Sequence, residues 1–177
     1  MKILPRHWYV LYVKARHEKF VYEWLTKRNY NCYLPLVRTL KEWSDRKKYV
    51  DEPLFKSYLF VRLNPFQLEL VKTTPGFLRF VQFGGEHATI PTEQLKNIEM
   101  IIKGNMPVEV NEEELKPGKP VKVVHGPIAG VTGELVQVRG KQRMAIRVEQ
   151  INQSLLVEIP INYLKVLPEE EEQKKGV

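Results

Sequence analysis

The stretch Glu52-Pro53-Leu54-Phe55-Lys56-Ser57-Tyr58-Leu59-Phe60-Val61-Arg62-Leu63 constrains the fold more than any other part of the chain. Read as a strand, its two-residue period puts Tyr58 and Phe60 on one face and Leu59, Val61 and Leu63 on the other. The aliphatic face suits packing against helices. The large rings need a cover, supplied either by another molecule or by the chain itself. One reading makes them a docking surface and the other an ordinary core.

The flanking sequence supplies partners for such a strand. Residues 8–13 form a near-continuous apolar run, a strand, and residues 16–28 change to helical spacing through Phe20, Val21, Trp24 and Leu25. Asn29 is suited to end that helix in a left-handed conformation. Residues 30–39 read as a second strand, and the polar stretch 41–48 turns the chain back toward Tyr49 as a long hairpin. Asn64-Pro65 opens a helix with a capping amide and a proline at its first position, and Thr74-Pro75-Gly76 stops it. A strand over 77–83, a Gly84-Gly85 turn and a helix from Pro91-Thr92 with Leu95, Ile98, Ile101 and Ile102 complete the unit, which Gly104 caps. This order predicts an α/β sandwich over residues 5–104, its mostly antiparallel sheet carrying helices on the aliphatic face. Residues 105–117 hold Glu109, Glu112, Glu113 and Glu114 between Pro107 and Pro117 and read as an extended acidic linker. Short β-type segments at 121–125, 133–139, 144–149, 155–159 and 164–167 predict a small SH3-like five-stranded β-barrel over 118–167. The chain is thus of α+β class. Residues 168–177, with Glu169 to Glu172 and then Lys174-Lys175, are expected to be a disordered charged tail.

Charge divides the chain as composition does. Residues 1–104 carry 18 basic and 10 acidic side chains, +8, whereas 105–177 carry 10 and 11, −1. Positive potential therefore belongs to the first unit, where it either contacts phosphate or keeps the domain soluble. Cys32 is the only cysteine, which excludes an intramolecular disulfide and a thiolate zinc site and makes it a small core residue. His7, His17, His87 and His125 are scattered without metal-ligand spacing, and His17-Glu18 reads as a solvent-facing helical pair. No glycine loop with a lysine is built to cradle phosphate, so neither metal, cofactor nor catalysis is expected. The start, Met1 to Pro5, is soon interrupted by Arg6 and His7 and lacks a secretory apolar core, so a cytoplasmic, membrane-free protein is expected, and a monomer is expected as well.

Two stretches resemble one family. Gly118-Lys119-Pro120-Val121-Lys122-Val123-Val124-His125-Gly126-Pro127-Ile128-Ala129-Gly130-Val131-Thr132-Gly133-Glu134 resembles the KOW motif, two strands about a glycine-punctuated turn. Trp8-Tyr9-Val10-Leu11-Tyr12, the run from Pro53 to Arg62, and Thr74-Pro75-Gly76-Phe77-Leu78-Arg79-Phe80-Val81 resemble the amino-terminal (NGN) domain of NusG-type transcription factors. Strand 52–61 is closer to the specialised RfaH and UpxY paralogs than to housekeeping NusG. In the KOW part, Ile151-Asn152-Gln153 stands where NusG usually has Phe-Gly-Arg, which bears on partnerships with termination factor Rho and a small-subunit ribosomal protein. Lys56-Ser57 stands where the family often has Pro-Gly.

The resemblance implies an elongation and antitermination factor that grips the β′ clamp helices of RNA polymerase through Tyr12, Phe55, Tyr58, Phe60 and Phe83. The two-faced strand independently selects Tyr58 and Phe60. At the hairpin tip, Arg38, Lys41, Arg46, Lys47 and Lys48 with Trp43 among them suit phosphate contact and base stacking, with a solvated loop as the plain alternative. Lys14 and Arg16 join them by resemblance, facing non-template DNA or nascent RNA. The rival readings are housekeeping NusG and a ribosome-associated KOW protein.

Overall fold

The computed structural model describes residues 4–168. The tail from residue 169 onward, including its expected disorder, lies outside the described residues. In chain order the first unit comprises β1 (His7–Val13), α1 (Glu18–Thr26), β2 (Asn31–Tyr33), β3 (Leu36–Glu42), β4 (Lys47–Pro53), β5 (Tyr58–Leu63), α2 (Leu68–Val71), β6 (Phe77–Phe80), β7 (Gln82–Phe83), β8 (Glu86–His87), β9 (Thr89–Ile90) and α3 (Thr92–Lys103). The second holds β10 (Val108–Asn111), β11 (Lys119–Val123), β12 (Thr132–Val138), β13 (Lys141–Val148), β14 (Gln153–Val157) and β15 (Leu164–Val166). The chain divides into two compact units at Ile102 and Lys103.

In the first unit β2, β5, β1 and β6 lie side by side, β9 adds to β1, and every pairing is antiparallel. Directly opposed residues share a face. Tyr9, Leu11, Val13, Leu59, Val61, Leu63 and Phe80 accordingly form one buried cluster with Val21 and Leu25 of α1 and Val71 of α2. The expected second strand breaks in two at Leu34-Pro35, which leaves β3 free to leave the sheet and pair only with β4 as a two-stranded ribbon. The expected helix after Asn64 opens as a 3₁₀ turn over Pro65–Gln67, closed by a reciprocal capping box between Asn64 and Gln67.

α3 occupies the other side of the sheet, a correction to the expectation that helices cover the aliphatic face alone. Its buried residues Leu95, Ile98 and Ile101 are absent from the aliphatic cluster. Its Glu99, together with burial, raises the pKa of Tyr33, which sits opposite Phe60 on the ring-bearing face. The sheet is therefore sheltered on both sides by the chain itself.

The second unit is a six-stranded antiparallel sheet in the order β10, β14, β13, β12, β11, β15. Val121, Val123, Met144, Ile146, Val148, Leu155 and Val157 fill one side of it, while Val136, Ala145 and Leu156 pack with Leu115 and Val138 on the other. The expected linker is therefore not an extended tether over its length. β10 lies inside it and pairs with β14, and Leu115 covers the second cluster. Arg147 clips the connection down, donating from Nη1 to the Leu115 carbonyl at 3.1 Å and from Nη2 to the Lys116 carbonyl at 2.9 Å while its Nε meets Glu134 at 2.6 Å. At Gly118 a Cβ would stand 2.2 Å from the Leu135 carbonyl oxygen, so only glycine permits that approach.

Candidate functional site

Register places a polar and aromatic row across three adjacent strands. Tyr58 on β5 is opposite Tyr12 on β1, and Tyr12 is opposite Arg79 on β6. The tyrosine rings stand 5.2 Å apart, tilted by 52°, and the Arg79 guanidinium carbon lies 5.0 Å from the Tyr12 ring centre. Both tyrosines are half-buried and Arg79 is exposed, so the row presents two ring surfaces and a cation to solvent. Further along the same face Phe60 lies opposite Val10 and Tyr33, stacked on Tyr33 at 6.3 Å and met edge-on by Phe55 at 6.5 Å. There the rings are closed over, with Phe60 0% and Phe55 1% exposed. The open ring face expected around β5 thus narrows to Tyr12 and Tyr58, because α3 shelters the rest. Phe83, 58% exposed, stands apart on the β7–β8 hairpin, whose turn uses Gly84 and Gly85 at positive φ.

The turn before Tyr58 is held by a residue that sequence reasoning assigned to solvent. Glu18 is only 6% exposed, and its Oε1 accepts from the Ser57 backbone N–H at 2.8 Å. The Ser57 carbonyl accepts from Val13 N–H at 2.9 Å, and Tyr58 N–H closes the turn on Phe55 O at 3.2 Å. Ser57 itself has φ of 67°. It keeps the left-handed geometry that glycine would take most easily, with the buried carboxylate and the β1 contact holding it there. Charge gave no warning, since the Glu18 signal is a contact 39 residues away in sequence.

The β3–β4 ribbon carries most of the expected basic residues, two of them in ion pairs. Lys41 pairs with Glu52 at 3.0 Å and Lys47 with Glu42 at 2.5 Å. Arg46 lies over Trp43 at 5.6 Å and Arg38 over Tyr49 at 4.8 Å. Lys48 is exposed opposite Lys41. Leu40 and Tyr49 are opposed and both exposed, an apolar pair that the basic composition of the hairpin concealed. Lys14 and Arg16 are exposed beyond β1, outside the ribbon, and Arg16 has φ of 65°.

In the second unit the loop 151–153 is mostly closed. Ile151 is 7% exposed, Asn152 is exposed in a left-handed conformation with φ of 52°, and Gln153 Nε2 donates to Glu112 Oε1 at 3.4 Å. Cys32 packs against the aliphatic core, where burial pushes its thiol up to about 12. Among the described residues no group of three or more His, Cys, Asp or Glu could hold a metal ion, and no helix is long and apolar enough to cross a membrane.

A two-sided antiparallel sheet with a tyrosine and arginine row, a separate basic ribbon and a second unit built on a six-stranded antiparallel sheet define a mixed α+β protein of two compact units. A family model described as "Transcription termination factor nusG" matches residues 6–99, just over half of the chain, and the chain belongs to the NusG family. It is 26% identical over 115 residues to the transcription termination/antitermination protein NusG of Thermus thermophilus. That match covers 58% of this chain and 62% of the relative, so the chain spans less than two thirds of the relative's length. Among solved structures it is similar to a Thermotoga maritima NusG structure concerned with domain interaction, at 18% identity and a TM-score of 0.48, covering 92% of this chain and 97% of that one. It is also similar to a chain of an MjSpt4:Spt5 complex at 14% identity and a TM-score of 0.31, covering 90% and 97%.

Proposed function

We propose that this protein is a specialised NusG-type elongation and antitermination factor that docks on the β′ clamp helices of RNA polymerase through Tyr58, Tyr12 and Arg79, with Phe83 at the margin. The observation that carries this reading is the half-open row of two tyrosines and an arginine on three adjacent strands. Rings and a guanidinium are the residue types that dominate binding energy at protein interfaces. Phe55 and Phe60 act behind the row as its rigid support.

The β3–β4 ribbon is the nucleic-acid arm. A two-stranded ribbon fits a major groove, and Trp43 and Tyr49 each offer a ring beside a guanidinium for stacking on an unpaired base. Lys14 and Arg16 extend the cationic surface. Binding the polymerase and its DNA together favours whichever enzyme conformation presents both, so pausing states lose population in proportion to that preference. No covalent chemistry is needed.

The test is transcription in vitro with purified polymerase, scored for pausing and terminator readthrough. Wild-type protein shortens pauses and raises readthrough. Tyr12→Ala and Tyr58→Ala lose polymerase binding by at least about tenfold, a loss of about 1.4 kcal/mol, while remaining folded. Unchanged pausing with the wild-type protein sinks the reading. The loop Ile151-Asn152-Gln153 favours the specialised role, because it offers a single exposed amide side chain, Asn152, and no arginine. Tight binding of Rho or of a small-subunit ribosomal protein by the barrel would instead mark a housekeeping factor.

A further inference from the structure

Most of the segment that follows α3 is fastened to the second sheet. β10 pairs over its length with β14, the Glu158 N–H donates to the Pro107 carbonyl at 3.1 Å, Asn111 Nδ2 donates to the Glu113 carbonyl at 2.7 Å, and Leu115 covers Val136, Ala145 and Leu156. Only residues 104–106 lie between the end of α3 and the first fastening at Pro107. The segment is held less deeply than the sheet beneath it. Among residues 108–117 only Asn111 is buried, whereas Val121, Val123, Met144, Val148, Leu155 and Val157 are fully buried. β10 is an edge strand of four residues, and Glu112, Glu113 and Glu114 are consecutive, exposed and of like sign, so they repel one another. A stretch with few buried apolar contacts opens at low cost while the rest of its domain stays folded.

One side chain carries much of the hold. Arg147 on β13 spans the carbonyls of Leu115 and Lys116 with its two terminal nitrogens, and Glu134 on β12 fixes the guanidinium from the other side. Buried Ser154 lies opposite Arg147 on one flank and Asn111 on the other, which puts the arginine and the end of β10 in one row. Gln153, the neighbour of Ser154, donates from Nε2 to Glu112 at 3.4 Å, while its Oε1 is buried with no donor among the described residues. The loop 151–153 therefore grips the segment directly, through an amide that is only half satisfied there.

We propose that residues 108–117 are a releasable latch that sets the length of free chain between the two units, with Arg147 as its catch and Gln153 as the point through which loop 151–153 loosens it. Closed, the latch leaves residues 104–106, which reach about 10 Å at full extension; open, residues 104–117 reach about 50 Å. A longer tether dilutes whatever binds one unit from whatever binds the other, so release weakens joint action of the two units without touching either binding surface. The device is independent of what each unit binds, and it stands or falls apart from polymerase docking.

Hydrogen exchange of the full-length chain, read on peptides by mass spectrometry, tests the latch. In the wild-type protein residues 108–117 exchange more slowly than a free chain but at least about tenfold faster than β12. Arg147→Gln speeds their exchange at least about tenfold, because two hydrogen bonds from a charged group are lost, and leaves β11 and β12 unchanged. Leu115→Ala, which keeps Arg147, also speeds it and carries the test if Arg147→Gln disturbs the sheet. Gln153→Ala speeds it at least about twofold. Residues 108–117 that exchange like a free chain in the wild-type protein, or at the rate of β12 in every variant, overturn the proposal. So does loss of protection in β11 and β12 together with 108–117 in both Arg147→Gln and Leu115→Ala, which would make the segment an integral part of the sheet. Nitroxide labels at Lys27→Cys and Gln137→Cys in a Cys32→Ala background test the tether by pulsed dipolar spectroscopy. Arg147→Gln broadens the distance distribution, and an unchanged width in a variant whose 108–117 exchanges freely overturns the proposal.

Discussion

The two ends of one sheet face in the first unit carry the same kind of side chain and have different fates. At one end Phe60, Phe55 and Tyr33 pack ring on ring, the two phenylalanines fully buried beneath a half-buried Tyr33. At the other, Tyr12 and Tyr58 stop half-buried, with Arg79 laid over Tyr12. The rings do not decide which end is open. What differs is the neighbour, an amphipathic helix at one end and at the other a turn held by Glu18 and Ser57. An aromatic face can thus be divided into a closed half and an open half without changing residue class.

The strongest way to break this comparison is to truncate the closed end. Phe60→Ala should destabilise by about 3 to 5 kcal/mol, the cost of removing a fully buried ring and leaving a cavity. Urea denaturation measures it through a lower midpoint with an unchanged slope. Phe55→Ala should fall in the same range. A loss under about 1 kcal/mol at both positions would mean that these rings are not core, and the division of the face would be lost.

Glu18 comes next. Glu18→Ala removes the acceptor for the Ser57 N–H and leaves that donor buried at the base of the turn, a cost of about 1 to 3 kcal/mol. The side chain sits behind the open row, so polymerase affinity should fall in this variant together with stability. Glu18→Gln retains a carbonyl acceptor and should recover most of both. If Glu18→Ala unfolds no earlier than wild type, the turn is held by its backbone contacts alone.

Tyr58→Ala sharpens the comparison from the open end. The half-buried ring should cost no more than about 1 kcal/mol of stability, within the ordinary range for a single substitution, yet about 2 kcal/mol or more of polymerase binding if the row is the interface centre. Isothermal titration against polymerase and thermal unfolding of the same sample give both numbers. Equal losses in stability and binding would put Tyr58 with Phe60 rather than with Arg79.

Local chemistry carried much of this into the sequence. The Asn64 and Gln67 capping box, Asn29 at φ of 62°, Gly76 at φ of 90° and the alternation that built β11 to β14 are all decided by neighbours a few residues away. What failed to show depends on distant partners. β10 was hidden because Glu109 and the acidic run after it masked the two valines that alternate beside β14, and a strand of four residues has too short a period to read. Glu18 looked like any exposed helical acid, since its reason for burial lies on a different strand. The closed half of the ring face depended on where α3 packs, and an apolar stripe says that a helix buries one side without saying against which face. Composition likewise overstated the ribbon, where Glu42 and Glu52 neutralise two of the five basic residues.

The smallest effect is expected at Ser57, and it tests whether the turn is strained or only held. A left-handed residue with a side chain costs roughly 1 to 2 kcal/mol, which Ser57→Gly relieves. Glycine returns roughly 0.5 to 1 kcal/mol of that as extra freedom in the unfolded chain. The net gain should therefore be about 1 kcal/mol or less, read as a slightly higher unfolding midpoint. Binding should not change, because the carboxylate of Glu18 contacts the backbone N–H and any residue at 57 other than proline supplies one. A gain in stability accompanied by weaker polymerase binding would mean that the serine, and not the turn alone, sets the angle at which Tyr58 meets its partner; the open half of the face would then rest on strain as well as on the absence of a covering helix.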